Sequence, residues 1–562
     1  MTLVRAGDVA IRALADTDED HRLLAGWLSD PTVLEWYEGR DQPFDLARVR
    51  AEYATAVQRA EGIEPGIIEL DDRPVGYVQH YRLAPFAAEY RYPAGEPVED
   101  VWAVDLFLGE TALWGSGVGT RALRALVDHL LVVAGARRVL IDPRSVNTRA
   151  IRSYEKVGFH TRWVVPDREL HEGRLWECHL MAIDAADDVV GLTAALSRID
   201  SINPALVPGA PGEGEIASWV ATWGEAHGLE VHRADAAPGR PNVVLVRRGS
   251  GGGRSLLFNG HLDTVGVGGP ATPDGRPREV LLSDGRLIGR GVLDTKGGLA
   301  AAMAALASVG DAAVRGDVVI AAVADEEHGS LGTEALVREW SADAAVVLEP
   351  TDLVVVHEHR RFAVVDVVVE GRASHTSQPD RGANAVHAAA AVVEAVRVLD
   401  AAWAANADTI RRPSVLVSGI GSDGETFTVP ARCRLTVEVR TPGAAPAGQI
   451  EEVLAAIHAT SGTVDGCSAA AAVAMSRPPL ASPGDGGIAA ALRTSLQQHG
   501  AAGELGAAPY WTDAALHAGT GTPAAVVGPS GEGLHEDEEW VDLASLRTLT
   551  AAFADLIRTW CS

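Results

Sequence analysis

The chain has few of the features that would tie it to an oxidising compartment or to a membrane. It contains only four cysteines among 562 residues, and their positions show no paired spacing. Cysteines scattered in this way are typical of reduced thiols that serve as packing residues, so we expect a cytoplasmic location. No run of about 18 uncharged apolar residues occurs, which excludes a membrane-spanning helix. The N-terminus also lacks the apolar core of a secretory signal peptide, so we expect none.

Basic residues are also scarce. Lysine and arginine number 48 against 76 aspartates and glutamates, which gives a net charge of −28. Such a surface repels nucleic acid and anionic lipid and attracts a cationic small molecule. The alternative is that the acidity serves only solubility. We therefore predict small-molecule substrates, with neither nucleic acid nor membrane as a partner.

Apolar residues make up 47% of the chain, and its length allows three to four domains of ordinary size. The pattern of predicted helices and strands changes at the short acidic stretch AADD, so residues 1–185 are predicted to form a separate α+β domain. The remainder alternates strand and helix patterns, as α/β domains do. Within it, strands at 355–372 and 431–440 flank a long Ala/Val helix and predict a small inserted domain. The segment RGSGGGR, between the apolar runs VVLV and SLLF, predicts a hairpin turn.

Histidines and carboxylates recur where the predicted strands of this second part end. A lone acidic pair is usually solvated surface, but here several elements follow in order at strand ends, where open α/β sheets place their ligand sites. Imidazole and carboxylate groups suit divalent metals, and two metals need a bridging carboxylate. The set consists of His261, Asp263, Asp294, Glu326, Glu327, Glu349 and His535.

Three members of this set have predicted roles. Asp294 is the candidate bridge between two metals. Asp263, two residues after His261 on an extended segment, can orient that imidazole. Glu326, beside the ligand candidate Glu327, supplies the free carboxylate that a general base requires.

The motifs NGHLDTV, GRGVLDTKGG, ADEEHGS, LEPTD, GRASHTSQPDRGANAV and LHEDEEW resemble a metallopeptidase family. Its members include acetylornithine deacetylase, succinyl-diaminopimelate desuccinylase, aminoacylase and glutamate carboxypeptidase. The resemblance implies an α/β catalytic domain over 188–355 and 473–562 that holds two Zn²⁺, Co²⁺ or Mn²⁺ ions, with a lid and dimerisation domain over 356–472. It implies that Glu326 activates water for attack on an amide carbonyl, and that the metal ligands are His261, Asp294, Glu327, Glu349 and His535.

The same resemblance gives roles to three lid residues. His375 would reach the active site of the partner subunit and stabilise the oxyanion, as preorganised donors do. Asn384 and Arg440 would hold the substrate, and Arg440 is suited to a carboxylate. A lid residue that serves the neighbouring subunit predicts a homodimer.

A second candidate site lies within residues 101–120. A strand, AVDLFLG, is followed by a glycine-rich turn, WGSGVGT, and then by a helix. Such a turn presents backbone N–H groups to an anion such as a pyrophosphate. The Rossmann spacing and the P-loop lysine are both missing, so a purely structural turn is the alternative.

With the following segment RRVLIDPRSVNTRAIRSYEKVGFHTR, this turn resembles the GNAT superfamily of acyl-CoA N-acyltransferases over about residues 8–184. The resemblance implies acetyl-CoA as co-substrate and Tyr154 as the acid that protonates the leaving thiolate. Trp114 stands where the family usually has Gln or Arg. The implied cofactor-binding residues are Gly117, Val118, Gly119, Thr120 and Asn147.

Within that superfamily the chain most resembles aminoglycoside 6′-N-acetyltransferases, through LEWYEGRDQPFDLARVRAEYATA, RPVGYVQHYR, VDLFLGETALWGSGVGT and IDPRSVNTRAIRSYEKVGF. Asp105 and Asp142 match carboxylates that contact the amines of the aminoglycoside. A carboxylate can accept the proton of an ammonium nucleophile. Trp36 and Tyr37 either wall the substrate cleft or pack in the core. The pattern also occurs in acetylases of siderophore precursors, so the acceptor amine stays open.

The sequence thus predicts a bifunctional enzyme, an acetyl-CoA-dependent N-acetyltransferase fused to a metal-dependent amidohydrolase. One hypothesis is that both act on one polyamine scaffold, which is acetylated and later deacetylated. The alternative is two unrelated activities, with the hydrolase acting on N-acyl amino acids or small peptides, as Arg440 favours. The N-terminal domain would then acetylate another amine or serve as a binding module.

Overall fold

The computed structural model describes residues 2–266, 280–310, 314–404, 412–443, 448–484 and 486–562. Its first unit contains the helices α1 (Asp18–Trp27), α2 (Pro31–Leu34), α3 (Leu46–Glu52), α4 (Thr55–Ala60), α5 (Val118–Val132) and α6 (Thr148–Val157). Its strands are β1 (Thr2–Ala6), β2 (Val9–Ala13), β3 (Ile63–Leu70), β4 (Arg73–Arg82), β5 (Val101–Leu108), β6 (Arg138–Ile141), β7 (His160–His171) and β8 (Arg174–Asp184).

These strands form one sheet in the order β1-β2-β3-β4-β5-β6-β8-β7. The parallel pair β5 and β6 is the feature that creates a site. Its pairing ends at Ala103 and Leu140, although β5 continues to Leu108 alongside β4. The two strands therefore diverge, and the gap between them is bordered by Asp105 on β5 and by Asp142 directly after β6.

The second unit begins with α7 (Val189–Ser197), α8 (Gly214–Ala226), α9 (Lys296–Ser308) and α10 (Leu331–Glu339). Its first strands are β9 (Glu230–Ala237), β10 (Arg240–Arg247), β11 (Leu256–His261), β12 (Leu281–Ser283), β13 (Arg286–Ile288), β14 (Val318–Val323), β15 (Ala345–Val347) and β16 (Val355–His359).

An inserted unit follows, with α11 (Ala385–Ala404), α12 (Gly448–Ala459) and the strands β17 (Arg361–Glu370), β18 (Ser374–His375), β19 (Ser414–Ser422), β20 (Thr428–Val429), β21 (Arg432–Thr441) and β22 (Ser468–Arg477). Its sheet has the order β19-β21-β17-β22, and α11 and α12 pack on one face. Alternate residues of β17, among them Val365 and Val367, are buried in this core, as the alternating pattern predicts.

The chain then returns to the second unit through β23 (Leu480–Ala481), α13 (Gly487–Gln498), β24 (Leu505–Ala508), α14 (Ala514–Gly519), β25 (Ala524–Val526), β26 (Gly531–Glu532), β27 (Trp540–Asp542) and α15 (Leu543–Trp560). The large sheet has the order β23-β16-β25-β15-β11-β14-β10-β9, with β24 beside β16. Strands β11 and β14 are buried along their whole length, as expected for strands covered on both faces. The predicted fold class, an N-terminal α+β unit followed by an α/β unit with an α+β insertion, is confirmed.

Two details of the sequence analysis need correction. The segment RGSGGGR is not a hairpin turn, because β14 lies between β10 and β11 in the sheet and the segment crosses over its end. The small sheet also begins and ends at other residues than the predicted limits of the insertion, 356 and 472. β16 pairs within the large sheet through His359, whereas β22 stays in the small sheet through Arg477. The apolar pattern continues across both limits, so it does not mark them.

The two halves of the chain share an apolar interface. Val132, at the end of α5, belongs to the same hydrophobic core as Leu192 on α7 and Leu546 on α15. Arg547 of α15 donates a hydrogen bond to Asp128 of α5, and the side chains are 21% and 9% exposed. The N-terminal unit is therefore packed against the second unit through α5.

All four cysteines lie among the described residues, and each is buried and free of a disulfide. Within the described ranges, no helix has both the length and the apolar character needed to cross a bilayer.

Candidate functional sites

The predicted metal ligands come together because three parallel strands end at one edge of the large sheet. β11 lies between β14 and β15 and is parallel to both. His261 is the last residue of β11, Glu326 and Glu327 follow β14, and Glu349 follows β15. The carboxyl ends of neighbouring parallel strands meet on one side, so these four side chains converge.

Asp294 faces both histidines through its two carboxylate oxygens. His261 Nε2 is 3.0 Å from Asp294 Oδ1, and His535 Nε2 is 3.5 Å from Asp294 Oδ2. His535 Nε2 also lies 3.0 Å from Glu327 Oε2, while His261 Nε2 lies 3.9 Å from Glu349 Oε1. Each histidine also approaches one further carboxylate, and Asp294 is the carboxylate that two bound metals would share.

The donor atoms are close enough for a divalent cation. His261, Glu326 and Glu349 offer ligand atoms within 4.8 Å of one another, and so do His261, Asp294 and Glu327. Burial raises the pKa of Glu326 and Glu349 well above the usual range, with neighbouring carboxylates adding to the effect. Hydrogen bonds to Asp294 and Glu327 raise the pKa of His535 to about 10. So many buried carboxylates around two imidazoles fit bound divalent cations, which would neutralise them.

Asp263 contributes differently from the sequence-based expectation. The Nδ1 atom of His261 lies 2.9 Å from the backbone carbonyl of Asp263 and 3.7 Å from its carboxylate. The carboxylate instead accepts hydrogen bonds from the backbone N–H groups of Glu326, at 3.1 Å, and Glu327, at 3.2 Å. The main chain of Asp263 therefore orients the imidazole, and its side chain anchors the two glutamates.

Sequence reasoning missed a second anchoring carboxylate. Glu539 is buried, and it accepts hydrogen bonds from the backbone N–H groups of Gly291, Leu293 and Asp294 at 2.8–3.1 Å. It also pairs with Arg290 at 2.8 Å. Glu539 lies in the quoted motif LHEDEEW, so its position near His535 was the available signal.

The three residues predicted to act from the lid lie in the inserted unit. His375 is exposed, and its Nδ1 atom is 2.8 Å from Ser377 Oγ. Asn384 accepts hydrogen bonds from two backbone N–H groups at the start of α11. Arg440 lies 3.6 Å from Glu438, with its guanidinium 5.8 Å from the centre of the Phe362 ring. All of these contacts are within the lid.

The gap between β5 and β6 opens into a cavity of about 770 Å³. It brings together most of the site residues that the sequence predicted for the N-terminal unit, and Trp36 and Tyr37 also line it. Val118 alone of that set is turned into the core, so only its backbone faces the loop. The predicted residues that line the cavity are Asp105, Gly117, Gly119, Thr120, Asp142, Asn147 and Tyr154.

One end of the cavity is formed by the glycine turn and α6. Gly117 has φ 87°, a conformation that glycine adopts at little cost, and α5 begins at the next residue. The hydroxyls of Thr120 and Ser153 are 2.7 Å apart and join α5 to α6, while Asn147 caps the start of α6. The first turn of α5 therefore faces the cavity with backbone N–H groups that have no helical partner.

Trp114, at this end of the cavity, lies beside a cation from a neighbouring helix. Its indole N–H donates to the carbonyl of Leu108 at 3.0 Å, so the ring is held against β5. The guanidinium of Arg149 stacks 3.9 Å from the centre of the ring and also lines the cavity. A cation from α6 thus lies beside the loop in which the family usually has a Gln or Arg.

Asp105 and Asp142 are part-buried in the cavity wall. Asp105 accepts hydrogen bonds from Gln79 and Tyr81, both at 2.8 Å, and Asp142 lies 3.1 Å from Arg168. Burial raises the pKa of Asp105, and it raises the pKa of Asp142 to about 8 with help from the charge of Asp105. Further carboxylates that sequence reasoning missed also line this end, namely Glu38, Glu89 and Glu169.

Comparisons with known proteins match both halves. The Peptidase family M20/M25/M40 matches residues 257–559, more than half of the chain, and the Acetyltransferase (GNAT) domain matches residues 16–165. The chain is 27% identical over 394 residues to succinyl-diaminopimelate desuccinylase 2 of Ruegeria sp. (strain TM1040), covering 67% of this chain and 95% of that protein. It is 32% identical over 149 residues to aminoglycoside N(6′)-acetyltransferase type 1 of Klebsiella pneumoniae, covering 26% of this chain and 73% of that protein.

A solved structure agrees in fold with the second half. A tripeptidase from Staphylococcus aureus matches with a TM-score of 0.57 at 18% identity, over 67% of this chain and 98% of that chain. Both resemblances that the motifs indicated are confirmed.

Proposed function

We propose that this chain, which belongs to the peptidase family M20/M25/M40 and carries a GNAT acetyltransferase domain, is a bifunctional enzyme acting on one class of substrate. The acetyltransferase site forms an amide from acetyl-CoA and a cationic amine. The hydrolase site cleaves an N-acyl amide. The single observation that supports two active sites is that each predicted set of side chains converges, one around Asp294 and the other in the cavity beside Asp105.

In the hydrolase site, we assign His261, Asp294, Glu327, Glu349 and His535 to two Zn²⁺ ions. Bound cations of this kind polarise a carbonyl oxygen and lower the pKa of water. Glu326 then takes the proton from the attacking water and delivers it to the leaving amine nitrogen. The carboxylate of Asp263 holds the backbone of Glu326 in place for that transfer.

In the acetyltransferase site, the backbone N–H groups at the start of α5 hold the pyrophosphate of acetyl-CoA, and Arg149 adds a positive charge beside it. Asp105 and Asp142 attract the ammonium group, and Asp105 accepts its proton. The free amine nitrogen then bonds to the thioester carbon, and the carbon–sulfur bond breaks. Tyr154, in the wall of the same cavity, protonates the departing thiolate.

The substrate proposal is an aminoglycoside-like polyamine that carries the acetyl group temporarily. It is supported by the carboxylates around the cavity and by the identity to an aminoglycoside N(6′)-acetyltransferase. The alternative, an N-acyl amino acid as the hydrolase substrate, is favoured by the guanidinium of Arg440 in the lid, which suits a substrate carboxylate.

One experiment separates these substrates. Purified protein is given a panel of aminoglycosides with acetyl-CoA, then zinc, while a parallel panel of N-acetyl amino acids receives zinc alone. Mass spectrometry follows the acetylated product and the acetate released. Shared chemistry predicts an acetylated amine that the hydrolase site later deacetylates. Hydrolysis of N-acetyl amino acids alone would leave two unrelated activities.

We also propose a homodimer formed through the lid. The exposed His375 makes its described contacts within its own lid, so it is available to a second copy. Strand β19 is the edge of the lid sheet and exposes Leu416 and Ile420, and α11 exposes Val393 and Val398. Edge strands and apolar patches of this kind are typical of contact surfaces between subunits.

Subunit mixing tests the dimer. His375→Ala and Glu326→Gln proteins should each be nearly inactive as hydrolases. A mixture that has exchanged subunits should regain activity, because one site of each mixed dimer is then intact. A control mixture of Glu326→Gln with Glu327→Gln should regain none, since both changes damage the site within the same subunit. A monomer in sedimentation velocity would reject the proposal.

A further inference from the structure

A buried polar network lies behind the Glu326–Glu327 turn. Asp263 is the one predicted site residue that belongs to it. Asn203, which follows α7 and has no exposed surface, is at its centre. Its Nδ2 group donates to Asp263 Oδ2 at 2.7 Å and to Asp325 Oδ1 at 3.0 Å. One amide group thus joins the loop after β11 to the loop after β14.

The orientation of Asn203 is itself fixed. Its Oδ1 atom accepts a hydrogen bond from the backbone N–H of Ala205 at 2.9 Å, so the amide nitrogen must face the two carboxylates. Its backbone N–H donates to the carbonyl of Thr264, one residue after Asp263. The segment around Asn203 is therefore attached to the metal-site loop by both its main chain and its side chain.

A buried ion pair holds the other side of Asp325. Arg240 donates to Glu213 through Nε at 2.8 Å and through Nη2 at 2.5 Å, and its Nη2 also lies 2.9 Å from Asp325 Oδ1. Glu213 Oε1 accepts the backbone N–H of Asp325 at 3.2 Å. Glu213 therefore binds the main chain of Asp325, and Arg240 binds its side chain.

Asp325, which these contacts hold, has a strained backbone conformation. Asp325 has φ 67°, in the left-handed region that side-chain-bearing residues seldom adopt, and the next two residues are Glu326 and Glu327. Such a conformation persists only where its surroundings impose it. Releasing Asp325 would let this turn relax and would rotate both glutamates away from the cluster.

We infer that Asn203 and the Arg240–Glu213 pair are positioning residues of the hydrolase, which fix the Glu326–Glu327 turn and thereby set the affinity of the site for metal. None of them is among the assigned metal ligands. They act through Asp263 and Asp325, which carry the backbone of the general base and of a metal ligand. The inference rests on the proposed metal site.

The test measures metal binding to metal-free protein by titration calorimetry with Zn²⁺ and Co²⁺, with hydrolysis assayed separately. Asn203→Ala and Arg240→Ala should each weaken binding by about 10–100-fold, the usual effect of removing a group that supports metal ligands. Arg240→Lys should lie between wild type and Arg240→Ala, because lysine keeps the charge but cannot form the forked contact. Acetyl transfer should stay at the wild-type rate in all three.

The matched control is Arg138→Ala, which breaks a comparably buried pair with Asp184 in the N-terminal unit. It should lower thermal stability without changing metal affinity. If Asn203→Ala and Arg240→Lys lose only stability and bind metal as tightly as wild type, the residues are merely structural and the inference is overturned. Should Arg240→Ala fail to fold, those two variants decide the matter. Wild-type protein that binds no metal would instead reject the proposed metal site.

Discussion

The two candidate sites both gather carboxylates that are buried or part-buried, but they differ in what balances the negative charge. Around Asp294 the neighbours are two histidines, and the carboxylates lie within ligand distance of one another. Around Asp105 the neighbours are Gln79, Tyr81 and, beside Asp142, Arg168, next to a cavity of about 770 Å³. The first arrangement has room for cations of atomic size, and the second has room for a cationic molecule.

The two sites therefore compensate the negative charge of their carboxylates in different ways. A buried carboxylate without a partner is costly, so it favours whatever positive charge its surroundings admit. In the hydrolase site, Asp263 and Asn203 hold the backbone that carries Glu326 and Glu327, which suits a metal. The acetyltransferase carboxylates line an open wall, which suits a substrate that must enter and leave.

Removing metal should have the largest effect and should separate the two sites completely. Dialysis against a chelator is expected to abolish amide hydrolysis, because the cations supply the Lewis acid, while acetyl transfer continues. Metal content by elemental analysis and both rates are measured on the same sample. Re-addition of zinc, cobalt or manganese ranks the metals. Undiminished hydrolysis by protein free of metal would reject the two-metal assignment.

Glu326→Gln should be the next largest effect. The kcat of hydrolysis is expected to fall by about 10²–10⁴-fold, the usual contribution of a general base. Metal content should stay at the wild-type level, since all five assigned ligands are intact. Glu339→Gln, at an exposed glutamate of α10, is the matched control and should change nothing. A kcat within a factor of two of wild type would remove Glu326 from its role.

Arg547→Ala tests whether the two halves behave as one unit. It leaves Asp128 buried without its partner and should lower the free energy of unfolding by about 3 kcal/mol. Urea unfolding followed by tryptophan fluorescence measures it. The double variant with Asp128→Ala should recover part of the loss, as coupled residues do. Equal and additive losses for the two single changes would mean that the pair makes no contribution across the interface.

Asp142→Asn should have the smallest effect, visible in the pH dependence of acetyl transfer. The pKa of Asp142 is raised to about 8, so its carboxylate form accumulates above that pH. Wild-type kcat/KM for a polyamine should therefore rise through this range, beyond the rise due to the amine itself. The variant should lose that additional rise and about tenfold in kcat/KM at high pH, the cost of one charge-assisted hydrogen bond. Identical profiles for the two proteins would contradict the role of Asp142.

The sequence predicted the features that depend on local patterns along the chain. His261 ends a buried apolar strand, Glu326 and Glu349 each follow one, and neighbouring parallel strands have their carboxyl ends at one edge of the sheet. The glycine turn at Gly117 and the cap at Asn147 are local as well. Such features need no knowledge of distant contacts.

The remainder depends on contacts between segments that are far apart in the chain. Asn203 is a single polar residue in a turn, and nothing nearby shows that Asp263 and Asp325 will meet it. The hairpin expected at RGSGGGR was wrong for the same reason, since β14, which separates β10 from β11, comes later in the sequence. The assignments of the site residues themselves remain predictions for the experiments above.

Helix α5 has a consequence for how such a chain can evolve. Its first turn borders the cavity of the N-terminal unit, and its last residue, Val132, belongs to the core of the other half. A recombination event that exchanged the N-terminal half for that of a related enzyme would have to bring matching partners for Val132 and Arg547. The N-terminal half is therefore not exchangeable by itself, because its helix α5 is part of the packing of the other half.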